Sequence, residues 1–359
     1  MKIYALHLPQ FHEIPENNKW WGNGFTEWVN VKKARPLFEN HDQPKVPLGK
    51  NYYDLVKSDS LFEQSKIAKK YNVSGFCFYH YWFKGKLLLE KPTENLLTDK
   101  RIDIEFFFSW ANEPWTRSWD GKSGEILINQ DYGKTSDWIR HINYLIPFFK
   151  DARYKKINNK PIFLIYKPSV IRDLPLMLKE WNKILINHGF DGVHLINTLR
   201  GINDDKRDHL FENNFQFEPS YSTRTNNPEL KYKRLNRIIR AIIPNCKSAP
   251  SLYDINKIYM RSVSAVPKSS KKTFNGALID WDNSARRKNS STIFHGFNTE
   301  AFKDYLYEKI QISKKKYDNR LLIINAWNEW AEGAFIEPDE KYGYKKLEII
   351  SSLIKDNKP

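Results

Sequence analysis

The 359 residues of the chain would fill two average domains or one large α/β barrel. Forty per cent of the residues are hydrophobic and 15% are aromatic, which is enough to fill a core and excludes disorder for most of the chain. Lysine and arginine outnumber aspartate and glutamate by 58 to 42, a formal net charge of +16. Such a charge favours polyanions or an anionic membrane surface as partners.

Nucleic acid is disfavoured as a partner. The aromatic residues are not interleaved with the basic ones, as a surface that stacks single-stranded bases requires. The 12 tryptophans lie instead in polar clusters that contain acidic residues, a composition typical of sugar binding.

Two features of the sequence indicate a reducing, cytoplasmic compartment. The two cysteines, Cys77 and Cys246, are too few for a disulfide framework or a four-ligand zinc site. Near the N-terminus, Pro9, Gln10 and His12 interrupt the apolar run that a signal peptide needs. No stretch approaches the apolar length that crosses a bilayer. We therefore expect a soluble, cytoplasmic protein.

Eight short apolar segments recur along the chain and predict β-strands. Several are apolar at consecutive positions, as expected for parallel strands that are covered on both faces. The eight segments are residues 3–7, 75–82, 104–110, 161–166, 193–197, 215–218, 277–281 and 321–326.

Segments with apolar residues at helical spacing lie between these strands and predict helices. A capping-box pattern at Ser60 opens the first of them. These segments are residues 60–71, 137–149, 174–188, 229–243, 299–315 and 344–354. The strand–helix alternation predicts an α/β fold, a single (β/α)8 TIM-type barrel over residues 1–359. The connections after strands 1 and 6 are long, and we expect them to build a lid or an acceptor surface.

In such a barrel the active site lies at the C-terminal ends of the strands, so polar and aromatic residues there are candidates for function. They include no Ser–His–Asp elbow and no glycine-rich phosphate loop. Aromatic rings stack on the apolar faces of sugars, and carboxylates and amides bind hydroxyl groups. The predicted substrate-binding residues are His7, Glu27, Trp28, Tyr79, His80, Trp82, Trp110, Asn112, Glu113, Trp115, Tyr166, Glu218, Asp280, Trp281, Asp282, Asn325 and Trp327.

Glu329 and Glu332 are the predicted catalytic residues. They lie three residues apart beyond the last strand, and a helical turn there would place both on one face. Glycosidic-bond chemistry uses two carboxyl groups, one to protonate an oxygen and one to stabilise or attack the anomeric carbon. The alternative is that one binds or reacts and the other is a surface charge. We predict that both face one cavity, lined by at least two of five tryptophans: Trp28, Trp82, Trp110, Trp115 and Trp327.

Several other candidates have a structural alternative. The block of tryptophans and glycines around Glu27 is either a sugar-stacking lid or a packing plug. His80 is either a ligand or a core histidine with a hydrogen-bond partner, and Glu113 either binds substrate or caps a turn. The acids lack the ligand spacing of a metal site, so we predict no catalytic metal and no cofactor.

Two basic clusters also have open interpretations. Arg286 and Arg287, near Asp280 and Asp282, form either a structural ion-pair network or a site for an anionic donor or a product phosphate. The segment 231–243 has five basic residues beside isoleucines at helical spacing. It is either an ordinary outer helix or a peripheral contact with an anionic membrane.

A set of motifs in order over nearly the whole chain is found together in one known family. The motifs are LPQFH at 8–12, WWGNGFTEW at 20–28, NVKK at 30–33, GFCFYHYWF at 75–83, WANEPW at 110–115, PIFLIY at 161–166, WDN at 281–283, FHG at 294–296, NAWNEWAEG at 325–333 and EP at 337–338. On these residues the chain resembles the WbsX family of polysaccharide-biosynthesis glycosyltransferases, whose domain is also described as glycoside hydrolase family 99-like.

The resemblance implies a barrel of the endo-α-mannosidase type. The hydrolase relatives have two glutamates in an E-W-x-E-G pattern after the last strand, and Glu329 and Glu332 match them. In those relatives the first glutamate acts on the sugar 2-hydroxyl to give a 1,2-anhydro intermediate. The second serves as acid and then base at the leaving oxygen. Ala331 stands where the mannosidases usually have histidine, a departure that bears on mannose specificity and on hydrolysis.

We therefore expect a glycosyltransferase or transglycosylase of O-antigen or capsule assembly that acts on an oligosaccharide or lipid-linked glycan at the inner membrane face. One alternative is an endo-acting glycoside hydrolase on α-linked glycans, favoured by the glutamate pair. Another is a glycan-binding barrel without catalysis, which would have its carboxyl groups too far apart to act together.

Overall fold

Eight parallel strands form a closed barrel in the computed structural model, which describes residues 1–117, 125–201, 204–225 and 249–356. Each strand pairs with the next along the chain, and the last pairs with the first, which closes the sheet. This confirms the predicted α/β barrel. The strands are β1 (Lys2–His7), β2 (Gly75–Phe83), β3 (Glu105–Trp110), β4 (Lys160–Ile165), β5 (His194–Leu199), β6 (Asn213–Gln216), β7 (Thr273–Leu278) and β8 (Leu321–Asn325).

Helices surround the barrel and also lie in its connecting loops. They are α1 (Pro15–Trp21), α2 (Glu27–Lys33), α3 (Ser58–Lys70), α4 (Lys91–Thr98), α5 (Thr135–Lys150), α6 (Leu174–Asn187), α7 (Ser220–Arg224), α8 (Ile255–Ser264), α9 (Ser284–Arg287), α10 (Thr299–Lys316) and α11 (Lys345–Lys355). The predicted helix 229–243, with its basic segment 231–243, lies outside the described residues. Within the described ranges, no helix is long and apolar enough to cross a membrane.

Short strands and 3₁₀ turns complete the loops. The strands are Lys86–Leu88, Trp115–Thr116, Ile126–Ile128, Lys156–Ile157, Ser251–Asp254, Thr292–His295, Asn328–Glu329 and Ala334–Phe335. The 3₁₀ turns are Leu48–Lys50, Pro168–Val170, Asp208–Leu210, Ser270–Lys272, Lys288–Ser290 and Trp330–Glu332.

The barrel strands are apolar at consecutive positions because they are covered on both faces. All five residues of β8 and all six of β5 are buried. The helices supply large side chains to this core: Trp181 of α6 packs edge-on against Phe163 of β4, with ring centroids 5.5 Å apart.

The capping-box prediction at Ser60 is wrong. The helix begins at Ser58, so Ser60 lies inside its first turn. The Ser60 hydroxyl donates to the carbonyl of Asp54 at 2.7 Å, and Glu63 pairs with Lys66 at 3.0 Å. Both side chains of the supposed box therefore have other partners.

The long connection after β1 packs against the segment after β8, because β1 and β8 are neighbours in the barrel. Asn328 makes two hydrogen bonds to Leu8, accepting from its N–H at 2.7 Å and donating to its carbonyl at 2.9 Å. The rings of Trp28 and Trp330 lie 5.5 Å apart. The segments that follow the first and the last barrel strand thus meet at the C-terminal end of the barrel.

Gly276 provides a test of the barrel packing. It lies in β7, where an added Cβ would stand 1.9 Å from the carbonyl oxygen of Gln216 on β6. That oxygen belongs to the backbone and cannot move without disturbing the strand pairing. We expect Gly276→Ala to lower the free energy of unfolding by about 1–3 kcal/mol, measured by chemical denaturation.

Lys303→Ala, on the exposed side of α10, is the control, and its effect should stay below about 0.5 kcal/mol. A Gly276→Ala protein as stable as the control would contradict the close approach of β6 and β7.

Candidate active site

The segment after β8 forms a tight turn that presents Glu329 and Glu332 on one side. Asn328–Glu329 pairs antiparallel with Ala334–Phe335, and Trp330–Glu332 forms one turn of 3₁₀-helix between them. A 3₁₀-helix has three residues per turn, so side chains three positions apart lie above one another. Both glutamates line one cavity of about 390 Å³.

Gly333 ends this turn and fixes it against the loop after β7. Its φ of 68° is left-handed, and an added Cβ would lie 2.9 Å from the backbone nitrogen of Asp282. That nitrogen donates to the carbonyl of Glu332 at 2.6 Å. Glycine is therefore required both for the backbone conformation and for the close approach.

The cavity lies at the C-terminal end of the barrel, since most of its residues follow the ends of barrel strands. Its walls combine aromatic rings with three carboxyl groups and two arginines. The lining residues are Leu8, Trp21, Tyr79, Tyr81, Ala111, Glu113, Pro114, Trp115, Thr116, Leu127, Tyr166, Phe217, Ser220, Arg224, Trp281, Arg286, Glu329 and Glu332.

Arg286 of α9 contacts three carboxylates at once. Its Nε and Nη2 donate to Oε2 of Glu27 at 3.1 and 3.0 Å. Nη2 lies 3.3 Å from Oε2 of Glu329, and Nη1 donates to Oε1 of Glu332 at 2.5 Å. The guanidinium is 7% exposed and the Glu27 side chain is fully buried. Glu27 therefore holds Arg286 through two hydrogen bonds in a position where it also contacts Glu329 and Glu332.

Burial and the neighbouring charges raise the pKa of two carboxyl groups that contact Arg286, those of Glu329 and Glu27. Burial and the neighbouring Glu332 raise the pKa of Glu329 to about 8, against the opposing charge of Arg286. Burial likewise raises the pKa of Glu27, and Arg286 opposes it. Glu329 thus keeps its proton at neutral pH, and Arg286 makes its shortest contact with Glu332. A carboxyl group that is protonated at neutral pH can serve as a general acid.

The cavity brings together some of the residues predicted from sequence. Glu113 pairs with Lys167 at 3.2 Å and with Arg200 at 3.7 Å. The guanidinium of Arg200 also lies 4.7 Å from the ring centroid of Tyr166. The predicted residues that line the cavity are Tyr79, Glu113, Trp115, Tyr166, Trp281, Glu329 and Glu332.

The prediction that at least two of five named tryptophans line the cavity is wrong, since only Trp115 of that set does so. Trp28, Trp82, Trp110 and Trp327 are at most 6% exposed and belong to the core.

Strand alternation gives the physical reason on β2. Successive side chains of a strand point to opposite faces. Tyr79 and Tyr81 line the cavity, whereas His80 and Trp82 point towards α5. Trp82 stacks on His141 of that helix, with ring centroids 4.5 Å apart.

The other three buried tryptophans are held by polar or ring partners within the core. Trp110 packs edge-on against His141 at 4.8 Å. The indole N–H of Trp28 donates to the Tyr53 carbonyl at 2.8 Å, and that of Trp327 donates to Glu337 at 2.9 Å.

Both predicted histidines are core residues. The Nε2 atoms of His80 and His141 lie 2.8 Å apart, and burial lowers the pKa of His80 to about 3. Nε2 of His7 lies 3.0 Å from the Gln64 amide oxygen, and burial lowers the pKa of His7 to about 4. Both rings are neutral at physiological pH and lie outside the cavity.

Asn112, Glu218 and Asn325 brace the loops at the strand ends instead of lining the cavity. The Asn112 side chain donates to the Lys167 carbonyl at 2.9 Å and accepts from its N–H at 2.7 Å. Glu218 accepts from the Ser222 hydroxyl at 2.6 Å. Asn325 donates to the Glu218 carbonyl at 2.9 Å.

Asp280 and Asp282 face away from the glutamates, while Trp281 between them lines the cavity. Asp282 accepts from His41 at 2.8 Å and from Gln43 at 2.7 Å. The interpretation of the two aspartates as ion-pair partners of Arg286 is therefore wrong. Arg286 contacts the glutamates, whereas both aspartates line the opposite side of the loop after β7.

Several residues of the site are absent from the predicted substrate-binding and catalytic residues, among them Tyr81, Trp21 and Arg286, and so is the neighbouring Glu337. Tyr81 and Trp21 line the cavity, and the period-two alternation from Tyr79 would have identified Tyr81. Glu337 is fully enclosed next to the glutamate turn. Its two oxygens accept from two indoles, a phenol and an amide: Trp327, Trp330, Tyr53 and Gln64.

Comparison with known proteins identifies the family. The model of a family described as Glycosyltransferase WbsX matches residues 3–350. Two curated relatives come from Xanthomonas campestris pv. campestris, strains B100 and ATCC 33913, and both are named uncharacterized protein WxcX. Each is 33% identical over 354 residues, which cover 98% of this chain and 49% of the relative. The chain thus spans about half the length of these relatives.

Solved structures share the barrel. A glycoside hydrolase-like protein superposes with a TM-score of 0.62 at 12% identity, over 98% of this chain and 93% of that chain. The GH99 endo-α-mannosidase from Bacteroides thetaiotaomicron superposes with a TM-score of 0.56 at 13% identity, over 99% of this chain and 96% of that chain. At such identities the similarity shows the fold. The family match over nearly the whole chain shows that this chain belongs to the family described as Glycosyltransferase WbsX.

Proposed function

We propose that this protein is a glycosyltransferase or transglycosylase that forms or remodels a glycosidic bond in cell-surface polysaccharide assembly. The observation that supports it best is the pair Glu329 and Glu332 in one aromatic-lined cavity at the C-terminal end of the barrel. A single arginine contacts both carboxyl groups, and one of them keeps its proton at neutral pH. That combination suits cleavage or formation of an acetal bond.

In this proposal Glu329 exchanges a proton with the bridging oxygen of the glycosidic bond. Glu332 acts at the anomeric carbon of the sugar, which it stabilises or attacks. The family resemblance implies the opposite order. Two observations support the assignment made here: burial raises the pKa of Glu329, and Arg286 lies closer to Glu332, at 2.5 Å, than to Glu329, at 3.3 Å. The rings of Trp115, Tyr166 and Trp281 offer apolar faces on which sugar units can stack.

The substrate proposed is an oligosaccharide or lipid-linked glycan of O-antigen or capsule type. The family description supports sugar transfer, and the net charge of +16 supports an anionic acceptor. A cytoplasmic location and peripheral contact with an anionic membrane through residues 231–243 are part of the same proposal.

The second candidate is an endo-acting hydrolase of α-linked glycans. The E-W-x-E-G pattern and the fold shared with an endo-α-mannosidase favour it. Reaction with labelled oligosaccharides in ¹⁸O-water separates the two. A hydrolase places ¹⁸O at the new reducing end, whereas a transferase gives a longer or rearranged glycoside without it. A glycan-binding barrel without catalysis gives no product.

Removing either carboxyl group should abolish turnover without unfolding the protein. We expect Glu329→Gln and Glu332→Gln each to lower the rate by about 10²–10⁴-fold, the range for loss of a proton-transfer group. The assay follows fluorescent α-linked oligosaccharides by chromatography, and thermal unfolding is recorded in parallel. Glu63→Gln, in an exposed ion pair of α3, is the matched control. Full activity in either active-site variant would refute the proposed chemistry.

The protonation of Glu329 predicts the pH dependence. Its pKa of about 8 means that the proton is present below that pH and lost above it. A step that uses Glu329 as an acid should therefore lose rate as the pH rises through 8. The measurement is kcat/KM against pH with a stable substrate. Activity that stays constant well above that pH would assign the acid role to another group.

Arg286 should set both the geometry of the carboxyl groups and the pKa of Glu329. Arg286→Gln removes the opposing positive charge, so the pKa of Glu329 rises further. The fall of kcat/KM at high pH, the basic limb of the pH profile, then moves to higher pH. We also expect kcat to fall by about 10²–10³-fold, as for loss of a preorganised electrostatic contact. Arg286→Lys keeps the charge and should return the limb towards its original position.

Arg287→Gln, the exposed neighbour on α9, is the control. Because Arg286→Gln leaves the buried Glu27 without its cation, a Glu27→Gln/Arg286→Gln double variant is measured as well. A basic limb that stays in place in both variants would exclude the electrostatic role of Arg286.

A further inference from the structure

A second cleft lies beside the catalytic cavity, on the other side of the loop after β7. It consists of two adjoining cavities of about 260 and 210 Å³. We call it the second cleft and define it by the residues that line both cavities: Asp42, Lys45, Asp280, Phe297, Lys341 and Tyr342.

The wall between the two sites is only one layer of chain thick. Glu332 lines the catalytic cavity and the next residue, Gly333, lines the second cleft. Trp281 faces the first and Asp280 the second. The hydrogen bond from Asp282 N–H to the Glu332 carbonyl, at 2.6 Å, closes this wall.

Most charges of the second cleft are already paired. Asp42 accepts from Lys45 at 2.7 Å and from Lys341 at 3.2 Å. Asp339 accepts from Lys346 at 2.7 Å. With its lysines matched by carboxylates, the cleft offers no surplus positive charge to a phosphate and favours a neutral polar ligand.

Asp280 has hydrogen-bonding capacity that the described residues leave unused. It is 8% exposed, and its Oδ1 accepts from the N–H of Trp281 at 2.8 Å. Its Oδ2 has no hydrogen-bond partner among the residues that the structure describes, and the side chain lines both cavities. Burial raises the pKa of Asp280 to about 6, against the charge of Lys45, so the carboxylate is ionised at neutral pH. Its free oxygen is open to the cleft and can accept a hydrogen bond from a ligand.

Aromatic rings form the apolar side of the second cleft. Phe297 packs edge-on against Tyr342, with centroids 5.3 Å apart. Both rings are partly exposed. A ligand that donates hydrogen bonds at one edge and has an apolar face at the other matches this lining.

We propose that the second cleft binds a neutral sugar unit, with Asp280 accepting from its hydroxyl groups and Phe297 and Tyr342 packing on its ring. The choice of a sugar over other neutral ligands rests on the proposed function, because a protein that acts on a glycan meets further sugar units at the surface beside its catalytic cavity. Binding itself needs no turnover and is tested separately.

The test measures binding of the methyl α-glycosides of mannose, glucose and galactose by saturation-transfer NMR and titration. Glu332→Gln is the background, so that no reaction intervenes. We expect Asp280→Asn and Phe297→Ala each to weaken binding of at least one glycoside by about tenfold or more. Asp103→Asn, an exposed carboxylate just before β3 at the opposite end of the barrel, is the matched control and should bind normally.

A crystal soaked with the tightest glycoside should show it between Asp280 and Phe297. Binding that neither variant weakens, a sugar found only beside Glu329, or no binding of any glycoside would overturn the inference. Failure of the proposed function is a different result: the second cleft would bind sugar while no oligosaccharide is elongated, rearranged or cleaved. If turnover persists while the second cleft binds no sugar, this inference is wrong and the proposed function is unaffected.

Discussion

The pairing of one buried guanidinium with three carboxylates is the constraint on which the rest of the site depends. Arg286 comes from the loop after β7, Glu27 from the loop after β1, and Glu329 and Glu332 from the turn after β8. A buried charge without a partner costs several kcal/mol, so these three connections must fold against one another. Burial and the neighbouring Glu332 raise the pKa of Glu329 to about 8, so this carboxyl group keeps its proton at neutral pH.

Barrel closure makes this pairing possible. Because β1 and β8 are neighbours, the first and last connections of the chain meet at one end. A second buried carboxylate strengthens the same region: Glu337 accepts from the indoles of Trp327 and Trp330, the residues on either side of Asn328 and Glu329. The turn that contains Glu329 and Glu332 is thus held by Glu337 through its flanking tryptophans and by Arg286 through the two glutamates.

Successive side chains of an extended chain point to opposite sides, and this alternation places neighbouring residues in different environments. On β2 it sends two tyrosines into the cavity and His80 and Trp82 into the core. After β7 it sends Trp281 into the cavity of Glu329 and Glu332 and both flanking aspartates towards the second cleft. Neighbouring residues therefore line one cavity, line a separate cleft or pack between the barrel and the helices.

The sequence by itself determined the barrel and its catalytic candidates. Parallel strands covered on both faces must be runs of apolar residues, so their positions were readable without the fold. The spacing of Glu329 and Glu332 was equally local. Only the tertiary structure decided which face of β2 lines the cavity, because Tyr81 and Trp82 are neighbouring aromatic residues that differ in the direction of their side chains. It also decided the partner of Arg286, since Glu27 lies 259 positions away and only barrel closure brings the two together.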